Sequence, residues 1–140
     1  MSNEVYQKLC DNLEKTHSVY SKFKVSCILV TSDGKLYNGQ NIENSSYGAT
    51  ICAERVAMSN AFANGADLKE ITEIHLMTSS EENYIPMCGI CIQTLSDFVP
   101  ADADVYLYLK NKDSPKALKF YDFITYSIDL KSFKLWFNAC

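Results

Sequence analysis

Val25-Ser26-Cys27-Ile28-Leu29-Val30, followed by the turn pair Asp33-Gly34, decides the fold of this chain. The run is rich in β-branched residues and reads as a strand. Asp-Gly supplies the tight reversal that returns a partner strand from Lys35 toward Ile42. Upstream, Val5, Leu9 and Leu13 recur every four residues, with Tyr6 and Cys10 beside them, and predict an amphipathic helix over residues 3–16. A polar and aromatic connection, 17–24, joins that helix to the strand. Downstream, Thr50 is placed to cap a helix over 51–64, with Gly65 as its stop. Residues 71–78 read as a buried strand, 79–87 as a polar loop, 88–98 as a second short helix and 105–110 as another strand. A turn cluster is expected at 111–115. The aromatic-rich remainder suggests a strand near 117–122 and then a helical turn or two.

This order predicts an α/β domain in which a mixed sheet is layered with helices. The chain shows no repeat, low-complexity tract or linker, so residues 1–140 are expected to form a single domain. Hydrophobic residues make up 47% and charged residues 21%, near ordinary globular values, which argues against disorder and coiled coil. A net charge of -4 provides no broad basic surface, so a nucleic-acid polymer is not the expected partner. No apolar run approaches the roughly 20 residues of a membrane span. The polar, acidic start Met1-Ser2-Asn3-Glu4-Val5 has no signal-peptide character, so a cytoplasmic location without membrane association is expected.

Six cysteines in a reducing compartment point to metal or catalysis rather than disulfides. Cys10 and Cys27 stand alone and read as small buried hydrophobes, and Cys140 has no assigned role. Cys52-Ala53-Glu54 opens one predicted helix and Cys88-Gly89-Ile90-Cys91 opens the next. Two cysteines three apart at a helix start can grip one ion, and the free N–H groups there favour thiolates. Cys52, Cys88 and Cys91 are therefore the expected ligands of one Zn²⁺. Three protein ligands leave the fourth position to a catalytic water or hydroxide, whereas structural sites normally use four. His17, in a loop, and His75, in a strand-like run, read as ordinary histidines rather than as the fourth ligand. Glu54, two residues after a ligand, can reach the metal-bound water as a proton carrier. Three thiolates leave the ion with net negative charge, and Arg55 can offset it by donating to the sulfurs. A surface arginine is the alternative.

The segments Tyr20-Ser21-Lys22-Phe23-Lys24-Val25, Asn41-Ile42-Glu43-Asn44-Ser45-Ser46-Tyr47, Thr50-Ile51-Cys52-Ala53-Glu54-Arg55 and Cys88-Gly89-Ile90-Cys91-Ile92-Gln93 resemble the cytidine deaminase family, in its small three-cysteine, homotetrameric form. Its zinc motif is the (Cys/His)-x-Glu and Pro-Cys-x-x-Cys pattern of zinc deaminases. The resemblance implies a three-layer α/β/α fold with a mixed five-stranded sheet, one zinc per subunit and a pyrimidine nucleoside as the small-molecule partner. The implied reaction is hydrolytic deamination of cytidine and deoxycytidine to uridine and deoxyuridine, with release of ammonia, in pyrimidine salvage. It also implies that Asn41 and Glu43 bind the ribose hydroxyl and that Phe23 packs on the pyrimidine. Ala53 N–H would meet the base carbonyl, and Glu54 would also bind N3. Phe133 would close a neighbouring subunit's pocket, and Tyr47 resembles an intersubunit tyrosine.

The chain departs from the family pattern in four places. Pro86-Met87 stands where Ser-Pro is usual, Ile92 where arginine is usual, and Lys24 and Ser26 where proline and glycine are usual. The tail lacks the Leu-Pro pair before its aromatic residue. Two other readings stay open. One is a blasticidin S-type aminonucleoside deaminase on the same fold. The other is a non-catalytic structural zinc module, which requires a fourth protein ligand such as His75 or Cys27.

Overall fold

The computed structural model describes residues 2–124. Helix α1 (Ser2–Leu13) precedes strands β1 (Val25–Thr31) and β2 (Leu36–Gln40). Helix α2 (Ala53–Ala63), strand β3 (Ile71–Thr78), helix α3 (Gly89–Ser96) and strands β4 (Asp104–Leu109) and β5 (Lys112–Lys119) follow. The five strands form one mixed sheet in the order β2-β1-β3-β4-β5. Only β3 and β4 run parallel, joined by the crossover through α3, and the other pairs are antiparallel.

Both faces of the sheet are covered, so its central strands are apolar at successive positions rather than alternate ones. On one face Val5, Leu9 and Leu13 of α1 pack on Ile28, Val30, Met77 and Tyr108. On the other, Ala53, Ala57 and Ala61 of α2 and Leu95 of α3 pack with Cys27, Leu29, Leu76, Val105 and Phe120. This is the expected three-layer α/β/α arrangement. Cys27 is wholly buried, as a small core residue should be, and Cys10 is half-buried.

Three local expectations change. Helix α2 begins at Ala53, with Cys52 as its N-cap, rather than at Ile51 under a Thr50 cap. Ile51 instead exchanges two backbone hydrogen bonds of 3.0 Å with Ile42, and Thr50 N–H donates to the Tyr47 carbonyl at 3.1 Å. Helix α3 likewise begins after its N-cap, Cys88, and ends at Ser96. Residues 112–115 are strand rather than turn, because β5 is an edge strand and tolerates Pro115 where an inner strand would not. The helical turns expected of the tail lie outside the described residues.

Gly39, on β2, sets how closely α2 can approach the sheet. A Cβ at this position would stand 2.2 Å from the Ala53 carbonyl oxygen and 2.3 Å from Ala57 N. The first turn of α2, which carries the site, rests directly on this glycine.

Candidate active site

The N-terminal ends of α2 and α3 converge. Cys52 caps one, Cys88 caps the other, and Cys91 lies fully buried in the first turn of α3. Their sulfurs all lie within 4.8 Å of one another, and Cys52 Sγ and Cys88 Sγ are 3.8 Å apart. Zn–S bonds of about 2.3 Å at tetrahedral angles require an S···S edge of about 3.8 Å, so this pair already has the spacing that zinc needs. Among the described residues neither histidine joins the cluster. His75 bonds to Glu73 and Tyr108, and His17 pairs through its backbone with Asn41 and Glu43.

The protonation pattern of the bare thiols also fits a cation. Cys52 is lowered to about 5, first by its hydrogen bond with Cys91, and Arg55 adds to the effect. Cys91 is driven upward by the same hydrogen bond, then by burial and the Glu54 charge. One thiolate thus discourages the next, and a dication is what allows all three to ionise together. Arg55 lies against Cys52 and Cys91. Its Nη2 donates to the Thr50 carbonyl at 3.2 Å, while its buried Nε has no partner.

Beside the cysteines lies a cavity of about 310 Å³, at the low end of the ligand-pocket range. It opens where β3 ends and β1 begins, since Thr78 pairs with Val25, and both residues line it. Glu54 also lines it and is only 3% exposed. Burial raises its carboxyl to about 7, against the opposing pull of a helix N–H, and the Cys52 charge raises it further. Ala53 is fully buried as the first residue of α2.

Asn41, Glu43 and Phe23 line the same cavity. Both polar residues are already engaged with the loop between α1 and β1. Asn41 Oδ1 accepts from Val25 N–H at 2.9 Å and from the Ser18 hydroxyl at 3.3 Å, and its Nδ2 donates to the Phe23 carbonyl at 2.9 Å. The Glu43 carboxylate accepts from Tyr20 N–H at 2.8 Å, from Ser21 N–H and from the Ser21 hydroxyl. The hydroxyl bond leads the causes that hold Glu43 below the usual carboxylate range. Lys22, inside this loop, takes a left-handed φ of 60°, uncommon for a side-chain-bearing residue, and its N–H donates to the Ser18 carbonyl at 3.0 Å.

Two of the four departures from the family pattern can be located around the site. Met87 is buried in the core, and it is Pro86 that lines the cavity. Ile92 packs against the α2/α3 core and brings no charge to the sulfurs. Phe133 lies outside the described residues. The sequence reading assigned no role to Ser18, Ser21 or Gly39. A glycine inside a strand run does signal close backbone approach, but the serines bond to partners more than 20 residues away and leave no local sign.

Two helix N-termini that present thiols beside a buried carboxylate, facing a small cavity, have the residue set that a zinc-dependent hydrolase of a small molecule needs. The family model of the cytidine and deoxycytidylate deaminase zinc-binding region matches residues 1–107. A cytidine deaminase of Halalkalibacterium halodurans is 38% identical over 94 residues, covering 67% of this chain and 69% of that one. The crystal structure of cytidine deaminase from Burkholderia pseudomallei superimposes with a TM-score of 0.84 at 30% identity, covering 91% and 99% of the two chains. A blasticidin-S deaminase of Bacillus cereus is more distant, at 28% identity over 106 residues, 71% of this chain and 75% of that one. The chain belongs to the cytidine and deoxycytidylate deaminase family and is an enzyme, a hydrolase built on that family's zinc-binding region.

Proposed function

We propose that the protein hydrolyses cytidine and deoxycytidine to uridine and deoxyuridine, releasing ammonia, with one zinc ion per chain on Cys52, Cys88 and Cys91. The observation that carries this reading is the buried Glu54 carboxylate lining one small cavity with two of the three clustered thiols. Zinc held by three protein ligands leaves a position for water and supplies a nucleophile at neutral pH.

The chain's own residues do the rest. The pyrimidine enters with its C4 toward the cysteines, Phe23 against the ring and the Ala53 N–H on the base carbonyl. Asn41 and Glu43 receive the sugar. Glu54 takes the proton that the attacking water gives up and delivers it to N3 as the C4–O bond forms. It then carries a second proton, from the new C4 hydroxyl, to the departing amine as the C4–N bond breaks, and uridine or deoxyuridine and ammonia result. Arg55 offsets the thiolate charge. Phe133 of a neighbouring subunit closes the pocket in a homotetramer; exposed apolar residues such as Phe23, which lines the cavity, and Tyr47 support association of copies. Thiols kept free for a metal suit a reducing cytoplasm, and pyrimidine salvage is the corresponding role.

Zinc-loaded protein incubated with cytidine should yield uridine and ammonia. Glu54→Gln should lower kcat by at least about a thousandfold, within the range for loss of a general acid–base group, while metal analysis still finds one zinc per chain. Near-normal turnover in that variant defeats the mechanism. A parallel assay with blasticidin S separates the two deaminase readings. Asn41 and Glu43 at the cavity favour a substrate with sugar hydroxyls.

A further inference from the structure

Ser21 sits beside Glu43, and both line the cavity. It is exposed and lines the cavity, whereas Glu43 is only 8% exposed. Glu43 Oε2 accepts the backbone N–H groups of Tyr20, at 2.8 Å, and Ser21, at 3.2 Å. Oε1 accepts the Ser21 hydroxyl, with a longer contact of 3.3 Å to Ser21 N–H. The same hydroxyl oxygen accepts the Phe23 N–H at 3.0 Å, so a short relay runs from the Phe23 backbone through Ser21 to the carboxylate. The two backbone donors are fixed by the loop. The hydroxyl alone can turn away from Glu43 by rotation of one side chain, without moving the main chain. A carboxylate oxygen offers about two lone-pair positions, and on Oε1 the Ser21 hydroxyl and the longer Ser21 N–H contact take them. A substrate hydroxyl that seeks Glu43 must therefore share or displace the Ser21 hydrogen bond.

We propose that Ser21 is a specificity-determining residue: its hydroxyl fills Glu43 in the free enzyme and is exchanged for a ring hydroxyl of the nucleoside. The inference rests on the nucleoside reading above. With serine present, a nucleoside that lacks the hydroxyl leaves Glu43 satisfied, because Ser21 simply stays in place, and the enzyme discriminates weakly. Without the serine hydroxyl, Oε1 keeps only the long Ser21 N–H contact of 3.3 Å, and a substrate hydroxyl becomes its one short donor. A nucleoside lacking the hydroxyl then leaves a buried carboxylate oxygen short of a donor, the situation in which sites reject analogues strongly.

The test is kcat/KM for 2'-deoxycytidine and for 2',3'-dideoxycytidine, which differ by a single ring hydroxyl, in zinc-loaded wild type, Ser21→Ala and Ser21→Thr. Preference for 2'-deoxycytidine should rise about tenfold in Ser21→Ala, carried by KM, and stay at the wild-type level in Ser21→Thr, which restores the donor. A purely structural role for Ser21 in shaping the loop would raise KM for both nucleosides alike. An unchanged ratio in Ser21→Ala overturns the proposal. If that variant fails to fold, Ser21→Cys keeps the side chain's size but weakens the donor. It must move the ratio in the same direction, and an unchanged ratio there overturns the proposal equally. Wild type that deaminates neither nucleoside defeats the nucleoside reading itself, a distinguishable result.

Discussion

His75 lies on the α1 side of β3, one residue from Leu76, which faces the catalytic cavity. Its ring is 5% exposed and stacks on Tyr106 at 4.8 Å. Nδ1 lies 3.1 Å from the Tyr108 hydroxyl and Nε2 lies 2.7 Å from the Glu73 carboxylate. Burial pulls its pKa down, and the Glu73 carboxylate opposes that shift without reversing it. As pH falls through about 6.5, the unfolded chain takes up a proton on this histidine before the folded chain does. The stability contributed by the neutral ring is therefore complete above about pH 6.5 and declines below it. The melting temperature of wild type should fall more steeply between pH 7.5 and 5.5 than that of His75→Gln, in which no ring titrates. Parallel curves would show that His75 is not the titrating group. At this scale the sequence was informative where chemistry is local. Cys52 with Glu54, and Cys88 with Cys91, were legible because their partners sit two or three residues away on a helix start. The engagement of Asn41 and Glu43 by the loop was not, since Ser18, Tyr20, Ser21, Phe23 and Val25 lie 16 to 23 residues from them.

The ends of α2 and α3 bring together the three cysteines of the proposed metal site, and Gly39 fixes the position of the first. Because the atoms that a Cβ would strike are backbone atoms of Ala53 and Ala57, no side-chain rotation can relieve the overlap. Gly39→Ala should destabilise the fold by about 3 kcal/mol, the upper part of the usual overpacking range, as read by urea unfolding. It should also weaken zinc binding in a competitive titration, because Cys52 moves with the helix. A loss below about 0.5 kcal/mol would mean that α2 can shift freely, and with it the site. Most elements were readable from periodicity and turn residues, including β3 over Ile71–Thr78. Two were displaced for reasons outside their own segments. Residues 112–115 resembled a turn until the sheet order made β5 an edge, and Ile51 left α2 because Ile42 pairs with it. Strand order is a tertiary property, and a strand's own composition does not encode it.

At the scale of the molecule, the segments that supply much of the cavity lining, 19–23 and 41–52, also carry uncovered apolar residues. Val19, Tyr20, Phe23, Ile42, Tyr47 and Ile51 are all exposed, and Tyr47 is 76% so. Some of them are joined: Tyr20 and Tyr47 meet with ring centroids 6.1 Å apart, Ile42 and Ile51 are paired, and Phe23 lines the cavity. Clustered apolar exposure of this kind marks an association surface. The homotetramer we propose would bury it, placing each cavity mouth against another copy. Sedimentation equilibrium of wild type should then give about four times the 15.8 kDa chain mass. Tyr47→Asp would place an unpaired carboxylate in every copy of the contact. We expect it to raise the dissociation constant at least about a hundredfold, or about 3 kcal/mol, giving smaller species at micromolar protein. If the mouth is completed by a neighbour, the same variant must lose deaminase activity as it dissociates, and concentrating the protein must restore part of both. Wild type that sediments as a single 15.8 kDa chain with full activity would defeat the assembly and leave the cavity complete within one chain.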